Sequence, residues 1–469
     1  MPASPPKTTL ILHNIPEKCL LGIDLHFFTS TAESNGIKLI PDGIHILHWS
    51  PPAPGMTGTG NDTPSSSRLT SIDDEDGNDN ALLNLQLKSE RQAAKDAENI
   101  VLSNMNLRMA VFFEACDSKI LCMTWDDEAE EFVTSEREVD EFALLRLYPH
   151  LLPYPQSSPE FADLTSQLNP ELLSTYLPLS YRKGVPVSSI TASSTDSLLL
   201  SQAISKASSS SKSSMLSDDT DSFRFLNFDL KRQRTWREGA TGRELTTAAL
   251  DRSWFLGDLI SRERNGDYNA VLAELQLSFI LLVLLANYSA SEQWRRIVEL
   301  LCSSKSAVSS RPEFYRKFLT ILYAQFECIP EVYFTDLLGF NFVKGQLREL
   351  RKTLIYPFNG YFGPEPTSSE SEITAMTADK EAMLHQIEDI GNLLEEKFGL
   401  NMDFSGTARS RRRKETILGG LSGTSSNGFE KMHHYGSDDD DGPSGFGAAD
   451  DSDDAEEERG EYAPVVVDL

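Results

Sequence analysis

The first 180 residues carry their apolar side chains in short runs bounded by turn-formers, whereas beyond residue 223 the apolar positions recur at helical spacing. Residues 8 to 13 (TTLILH), 23 to 28 (IDLHFF) and 43 to 49 (GIHILHW) are brief and rich in Leu, Ile and aromatics. Asn14-Ile15-Pro16, Asn35-Gly36 and Pro41-Asp42-Gly43 punctuate them, the texture of successive strands. Met109 to Glu114 and Ile120 to Trp125 read as two more strands, joined as a hairpin through Asp117-Ser118-Lys119. Val139, Phe142, Leu145 and Tyr148 then recur at helical spacing, and Asn169-Pro170 is a cap followed by a helix-starting proline. In the second half, Thr241-x-x-Glu244 and Ser289-x-x-Glu292 are capping-box patterns, and Ser310-Arg311-Pro312 marks a further helix start. Trp254, Leu256 and Ile260, Leu272 to Leu285, Trp294 to Leu301, and Phe318 to Phe326 supply the stripes of successive antiparallel helices. A last helix over 375 to 398 places Met383, Leu384, Ile387, Ile390, Leu394 and Phe398 on one side and ends at Gly399.

The pattern predicts an α+β chain: an N-terminal β-sandwich-like domain over 1–180, then a C-terminal all-α domain over 223–402. Residues 51–80, rich in Pro, Gly, Ser and acid, form an expected disordered insertion. The Ser-rich run from Ser205 makes 186–222 the expected linker, since it buries too little apolar surface to offset its ordering entropy. Residues 403–461 form a disordered tail, basic and then acidic, and 462–469 an isolated strand-forming segment at its end.

Charge narrows the partners. The net charge is -28 over 469 residues. From Ser437 to Leu469 there are 13 acidic residues against 1 Arg, so nearly half the excess sits there. Such a chain repels phosphate backbones, which points to protein partners and away from direct nucleic-acid binding. Five scattered cysteines do not describe a disulfide scaffold and suit a reducing compartment. Met1 to Thr9 lacks the charge-then-apolar layout of a signal peptide, and the apolar stretch Leu275 to Ala286 is too short to cross a bilayer, so no membrane role is expected.

Candidate chemistry is sparse. His45 and His48, three apart on a strand, point to opposite faces and make a poor metal pair. Gly55 to Gly60 follows Pro-rich coil, lacks the phosphate-loop lysine and opens no apolar helix. Cys116 and Cys122 flank a turn with no evident His or acid partner, and no serine sits in a nucleophile elbow, so no enzyme, cofactor or metal is expected. Arg409, Arg411, Arg412, Arg413 and Lys414 form a candidate nuclear import signal. Ser437 and Ser452 precede acidic runs, the pattern of an acid-directed kinase substrate. Val465, Val466 and Val467, followed by Asp468 and Leu469, are stiff, extended residues on a polar leash. They suit addition to an exposed sheet edge of a partner; a strand returning to the first domain is the competing reading.

Gly22-Ile23-Asp24 and the run Gly36 to Ser50 (GIKLIPDGIHILHWS) resemble the N-terminal signature of the A1-cistron splicing factor family. The likeness continues in Lys231-Arg232, Trp236 to Thr241, Leu250 to Trp254, Leu272 to Tyr288, Trp294, Phe314, Tyr315, Phe318, Leu322 and the closing Pro464 to Leu469. The resemblance implies a VHS-like helical domain and a splicing factor that escorts the U5 snRNP during assembly. It implies binding to the RNase H-like and Jab-type MPN domains of the large U5 scaffold protein, alongside other U5 snRNP proteins, and delay of the particle's RNA helicase until release. Assembly in the cytoplasm and maturation in the nucleus follow from the same likeness. A VHS-like trafficking adaptor that binds short sorting peptides is the alternative.

Overall fold

The computed structural model describes residues 7–50 apart from 33, 107–134 apart from 117 and 118, 141–199 apart from 157 and 158, 221–356 apart from 232, and 370–400. Within them, two five-stranded sheets precede a helical region. Strands β1 (Thr8–His13), β2 (Leu20–Ile23), β3 (His26–Thr29), β4 (Gly36–Ile40) and β5 (Gly43–Ser50) come first. Strands β6 (Met109–Ala115), β7 (Ile120–Asp126), β8 (Glu131–Thr134), β9 (Leu152–Pro153) and β10 (Val187–Ser188) follow. One sheet runs β8-β7-β1-β4-β9 and the other β10-β6-β5-β2-β3.

Leu10, Leu12, Leu21, Ile23, Leu47, Trp49, Phe113 and Trp125 fill the core of this β-region. Strand β5 shows why the run GIHILHWS is apolar nearly throughout. Leu47 and Trp49 join that core, while Ile44 and Ile46 belong to the cluster built by the helices. A strand covered on both faces shows no polar alternation.

Two strand assignments are corrected. Residues 23 to 28 are not one strand: Asp24 turns the chain at φ 52° and β2 pairs with β3 as a tight hairpin. Strands β6 and β7 are not a hairpin either. The turn closed by Lys119 N–H on the Cys116 carbonyl carries the chain from one sheet to the other, where β7 lies parallel to β1. A hairpin and a crossing between sheets can share one local turn chemistry, and for β7 the distant partner β1 decides.

The main helices among the described residues are α1 (Glu141–Leu147), α2 (Phe161–Leu164), α3 (Pro170–Tyr176), α4 (Gly242–Leu250), α5 (Ser253–Glu263), α6 (Tyr268–Leu285), α7 (Tyr288–Ser303), α8 (Lys305–Ser310), α9 (Pro312–Cys328), α10 (Phe340–Ile355) and α11 (Glu370–Phe398). Asn169 caps α3 by accepting from Leu172 N–H, and Thr241 with Glu244 forms the expected capping box of α4. Ser289 does not cap α7: Asn287, two residues earlier, accepts from Ala290 N–H, while its Nδ2 donates to the Ser188, Ser189 and Thr191 carbonyls. The stripe on α1 does not enter a core, since Phe142 and Leu145 are exposed.

The stretch expected as a linker begins as ordered structure. Val187 pairs with Ala110, Ser193 bridges Phe223, and residues 194–199 are helical, because this segment packs on the edge of β6 and on Asn287. The Ser-rich run, the 51–80 insertion and the tail lie outside the described residues. Packing does not stop between the β-region and the helices: the described residues form one compact unit, with Ile44, Phe112, Phe161 and Tyr176 in the same core as α6, α7 and α9.

Candidate partner-binding site

None of the residues singled out as functional from the sequence falls within the described structure. Arg409, Arg411, Arg412, Arg413, Lys414, Ser437, Ser452 and Val465 to Leu469 all lie beyond residue 400. Among the described residues, three polar centres and an apolar groove bear most on function.

The first centre is Asp24, at the β2–β3 turn. Its carboxylate meets His45 Nδ1 at 2.6 Å, accepts from the Tyr154 hydroxyl at 2.6 Å and from Ile46 N–H at 2.9 Å, and its carbonyl meets His48 Nε2 at 2.8 Å. An Asp-His pair beside a tyrosine has the residue types of a proton relay. Here His45 Nε2 is taken up by the Pro41 carbonyl at 2.8 Å, so both ring nitrogens are engaged inside the fold. Burial and the neighbouring Asp24 carboxylate push the Tyr154 hydroxyl well above the usual phenol range, which leaves it a proton donor to Asp24. The arrangement locks a turn. As expected, His45 and His48 lie on opposite faces: His45 faces Phe113 and Phe161, His48 faces Phe27 over Gly22. A Cβ on Gly22 would lie 1.8 Å from the His48 ring, so only glycine admits the imidazole there. Among the described residues no cluster of His, Cys, Asp and Glu could hold a metal ion.

The second centre sits in α6, an 18-residue apolar helix that lies buried in the protein. Glu274, fully buried, accepts from Leu226 N–H at 2.7 Å, Gln293 Nε2 at 2.7 Å and Arg264 Nη2 at 3.0 Å. Burial pushes its carboxyl pKa up, opposed by Arg264, Leu226 N–H and Gln293. Gln276, one turn's half further, accepts from Gln167 N–H and donates to the Asp163 carbonyl and Ser166 Oγ. Together with Arg108, which donates to the Leu284 carbonyl and Tyr333 hydroxyl, these groups fasten the helical bundle to the segments on either side of it. A glutamate and a glutamine inside a run as apolar as Val271 to Leu285 are the sequence signal that could have found this node.

The groove is an apolar cavity of about 200 Å³ between the β5–β6 face and α3, lined by Ile44, Phe112, Leu173, Leu177, Tyr181 and Arg182. Tyr181 reaches over the edge of β6: its hydroxyl accepts from Phe112 N–H at 2.8 Å and donates to the Phe112 carbonyl at 2.9 Å. Burial raises that hydroxyl's pKa to about 12. The third polar centre stands at the groove's rim, where the Ser174 carbonyl accepts from both Arg182, at 3.0 Å, and Arg224. Sequence reasoning did not reach these residues, because a Ser-Tyr-Arg in a short turn carries no distinguishing pattern.

Comparison with known proteins places both halves of the chain. A family model described as the AAR2 N-terminal domain matches residues 6–178, and one described as the AAR2 C-terminal repeat region matches 225–403. Together they cover about three quarters of the chain. The Mus musculus protein named "Protein AAR2 homolog" is 37% identical over 101 residues, 22% of this chain and 26% of that one. The Homo sapiens protein of the same name is 34% identical over 102 residues, 22% of this chain and 27% of its own. The Saccharomyces cerevisiae protein named "A1 cistron-splicing factor AAR2" is 27% identical over 141 residues, 30% of this chain and 38% of that relative. The chain thus spans about a quarter to two fifths of the length of these curated relatives.

Proposed function

This chain belongs to the AAR2 family, and we propose that it is a non-enzymatic pre-mRNA splicing factor that escorts the U5 snRNP during assembly. The observation that carries the reading is the match of both family domains together with the yeast relative's name as a splicing factor. Its partner is the large U5 scaffold protein, held through that protein's RNase H-like and MPN domains, with other U5 snRNP proteins in the same particle. Holding the scaffold in this way delays the particle's RNA helicase. The chain works in the cytoplasm, on the precursor particle, and in the nucleus.

The tail supplies the mechanism. Val465 to Leu469 adds a strand to a sheet edge of the scaffold, with main-chain bonds for affinity and alternate side chains for specificity. Phosphate on Ser437 or Ser452 adds about 1.5 to 2 negative charges each next to acidic runs, which favours release by repulsion from an acidic surface. Arg409 to Lys414 serves import.

Affinity purification of the tagged full chain from nuclear and cytoplasmic extract, read by mass spectrometry, tests this. The scaffold protein and other U5 proteins are expected as the main specific partners. Recovery of vesicle-coat proteins instead would replace the reading with that of a trafficking adaptor.

A further inference from the structure

The β6 edge is closed in steps. Ala110 pairs with Val187 of β10, and two residues on, Phe112 exchanges both its main-chain groups with the Tyr181 hydroxyl. Main-chain groups two apart on a strand point the same way. Glu114, two residues further, therefore turns its N–H and C=O to the same side, away from β5, and among the described residues nothing pairs with them. Glu114 also lines the cavity described above. At the rim of that cavity, Arg182 and Arg224 converge on the one carbonyl of Ser174, and among the described residues no carboxylate pairs with either. An open main-chain pair, an apolar hollow and an uncompensated positive pair thus adjoin along one groove.

We propose that this groove is a peptide-binding site on the folded body of the protein, taking an extended segment of a partner protein. One main-chain residue of the segment bridges Glu114, an aliphatic or aromatic side chain fills the hollow against Leu173, Leu177 and Phe112, and a carboxylate reaches Arg182. The volume of about 200 Å³ suits one large side chain rather than a longer apolar stretch. Charge fixes the direction of the peptide. The exposed Glu114 carboxylate repels an acidic group at one end, and the guanidinium pair draws it to the other. Tyr181 ends the strand addition, because its hydroxyl already holds the next main-chain pair. The site does not depend on which particle the chain serves, and it is distinct from the tail strand, which would engage a partner's own sheet.

The test is selection of a displayed library of eight-residue peptides on the full-length protein, followed by fluorescence polarisation with the synthetic consensus peptide. The expected consensus carries one large apolar residue with an acidic residue close by. Ser174→Phe, which fills the hollow from a half-exposed position, and Arg182→Glu are each expected to weaken the consensus peptide about tenfold or more, and Arg182→Lys to retain most of the affinity. Thermal melting of each variant checks that it folds, and Arg182→Glu alone decides if Ser174→Phe does not. No enriched consensus, or a consensus whose binding Arg182→Glu leaves unchanged, overturns the proposal.

Discussion

Replacing Glu274 with alanine is expected to lower the unfolding free energy by about 3 to 5 kcal/mol, the range for breaking a buried charge pair from one side. The side chain is fully buried and receives three donors. Its removal leaves the Leu226 N–H without its acceptor and the Arg264 guanidinium without its carboxylate, in surroundings built from Val271, Leu272, Leu275 and their neighbours, while Arg264 keeps the Arg224 carbonyl and Gln293 the Leu226 carbonyl. Desolvation of those groups has already been incurred by the fold, so the loss is far larger than the net value of the pair itself. Glu274→Gln keeps an oxygen for Leu226 N–H and is expected to fall between alanine and wild type. Urea denaturation followed by tryptophan fluorescence measures both. A Glu274→Ala protein within about 1 kcal/mol of wild type would mean that the network does not hold segment 224–228 to the bundle.

The second large effect is a loss of stability in acid that is traceable to one histidine. Burial, aided by the Arg108 charge, pushes the His48 pKa down from 6.5 to about 4, while its bond to the Asp24 carbonyl opposes this. Below pH 6.5 the unfolded chain takes up a proton that folded His48 refuses until about pH 4. The unfolded state therefore binds more protons in that window, and stability falls as the pH is lowered through it. The contribution is complete above pH 6.5, and its loss by pH 4 is about 3 kcal/mol, at 1.36 kcal/mol per pKa unit. His48→Gln, which keeps a donor for the Asp24 carbonyl, is expected to flatten the urea-midpoint profile between these two pH values relative to wild type. Parallel profiles for the two proteins would refute the assignment.

What was legible in the sequence was local. Asn169-Pro170, Thr241 with Glu244, and Pro312 announce helix starts because a cap is made by residues within one turn of each other. The strand read over 43 to 49, observed as Gly43–Ser50, followed a Pro-Asp-Gly turn, and the end of the last helix followed from Gly399, which takes a left-handed φ of 66° there, both signals equally local. The illegible part was non-local. Nothing in the residues around Asp117 distinguishes a hairpin from a crossing between sheets, and nothing in Phe142 and Leu145 says that their helix has no core to face. Asn287 displaced Ser289 as a cap because its amide also binds Ser188, Ser189 and Thr191, about a hundred residues away in sequence. The Ser174 guanidinium pair joins residues 182 and 224 across the Ser-rich stretch, a proximity only the fold creates.

The proposed mechanism places most of the affinity for the scaffold in the last residues of the tail, where main-chain pairing and apolar anchors coincide. The most direct measurement is calorimetric titration of the purified RNase H-like and MPN domains of the large U5 scaffold protein with the full chain and with a chain ending at Pro464. The account predicts tight binding by the full chain and a loss of about a hundredfold or more on removing Val465 to Leu469, far beyond the effect of Ser437→Asp or Ser452→Asp. Equal affinity of the two chains would contradict the tail-strand mechanism, and no binding by either would contradict the choice of partner.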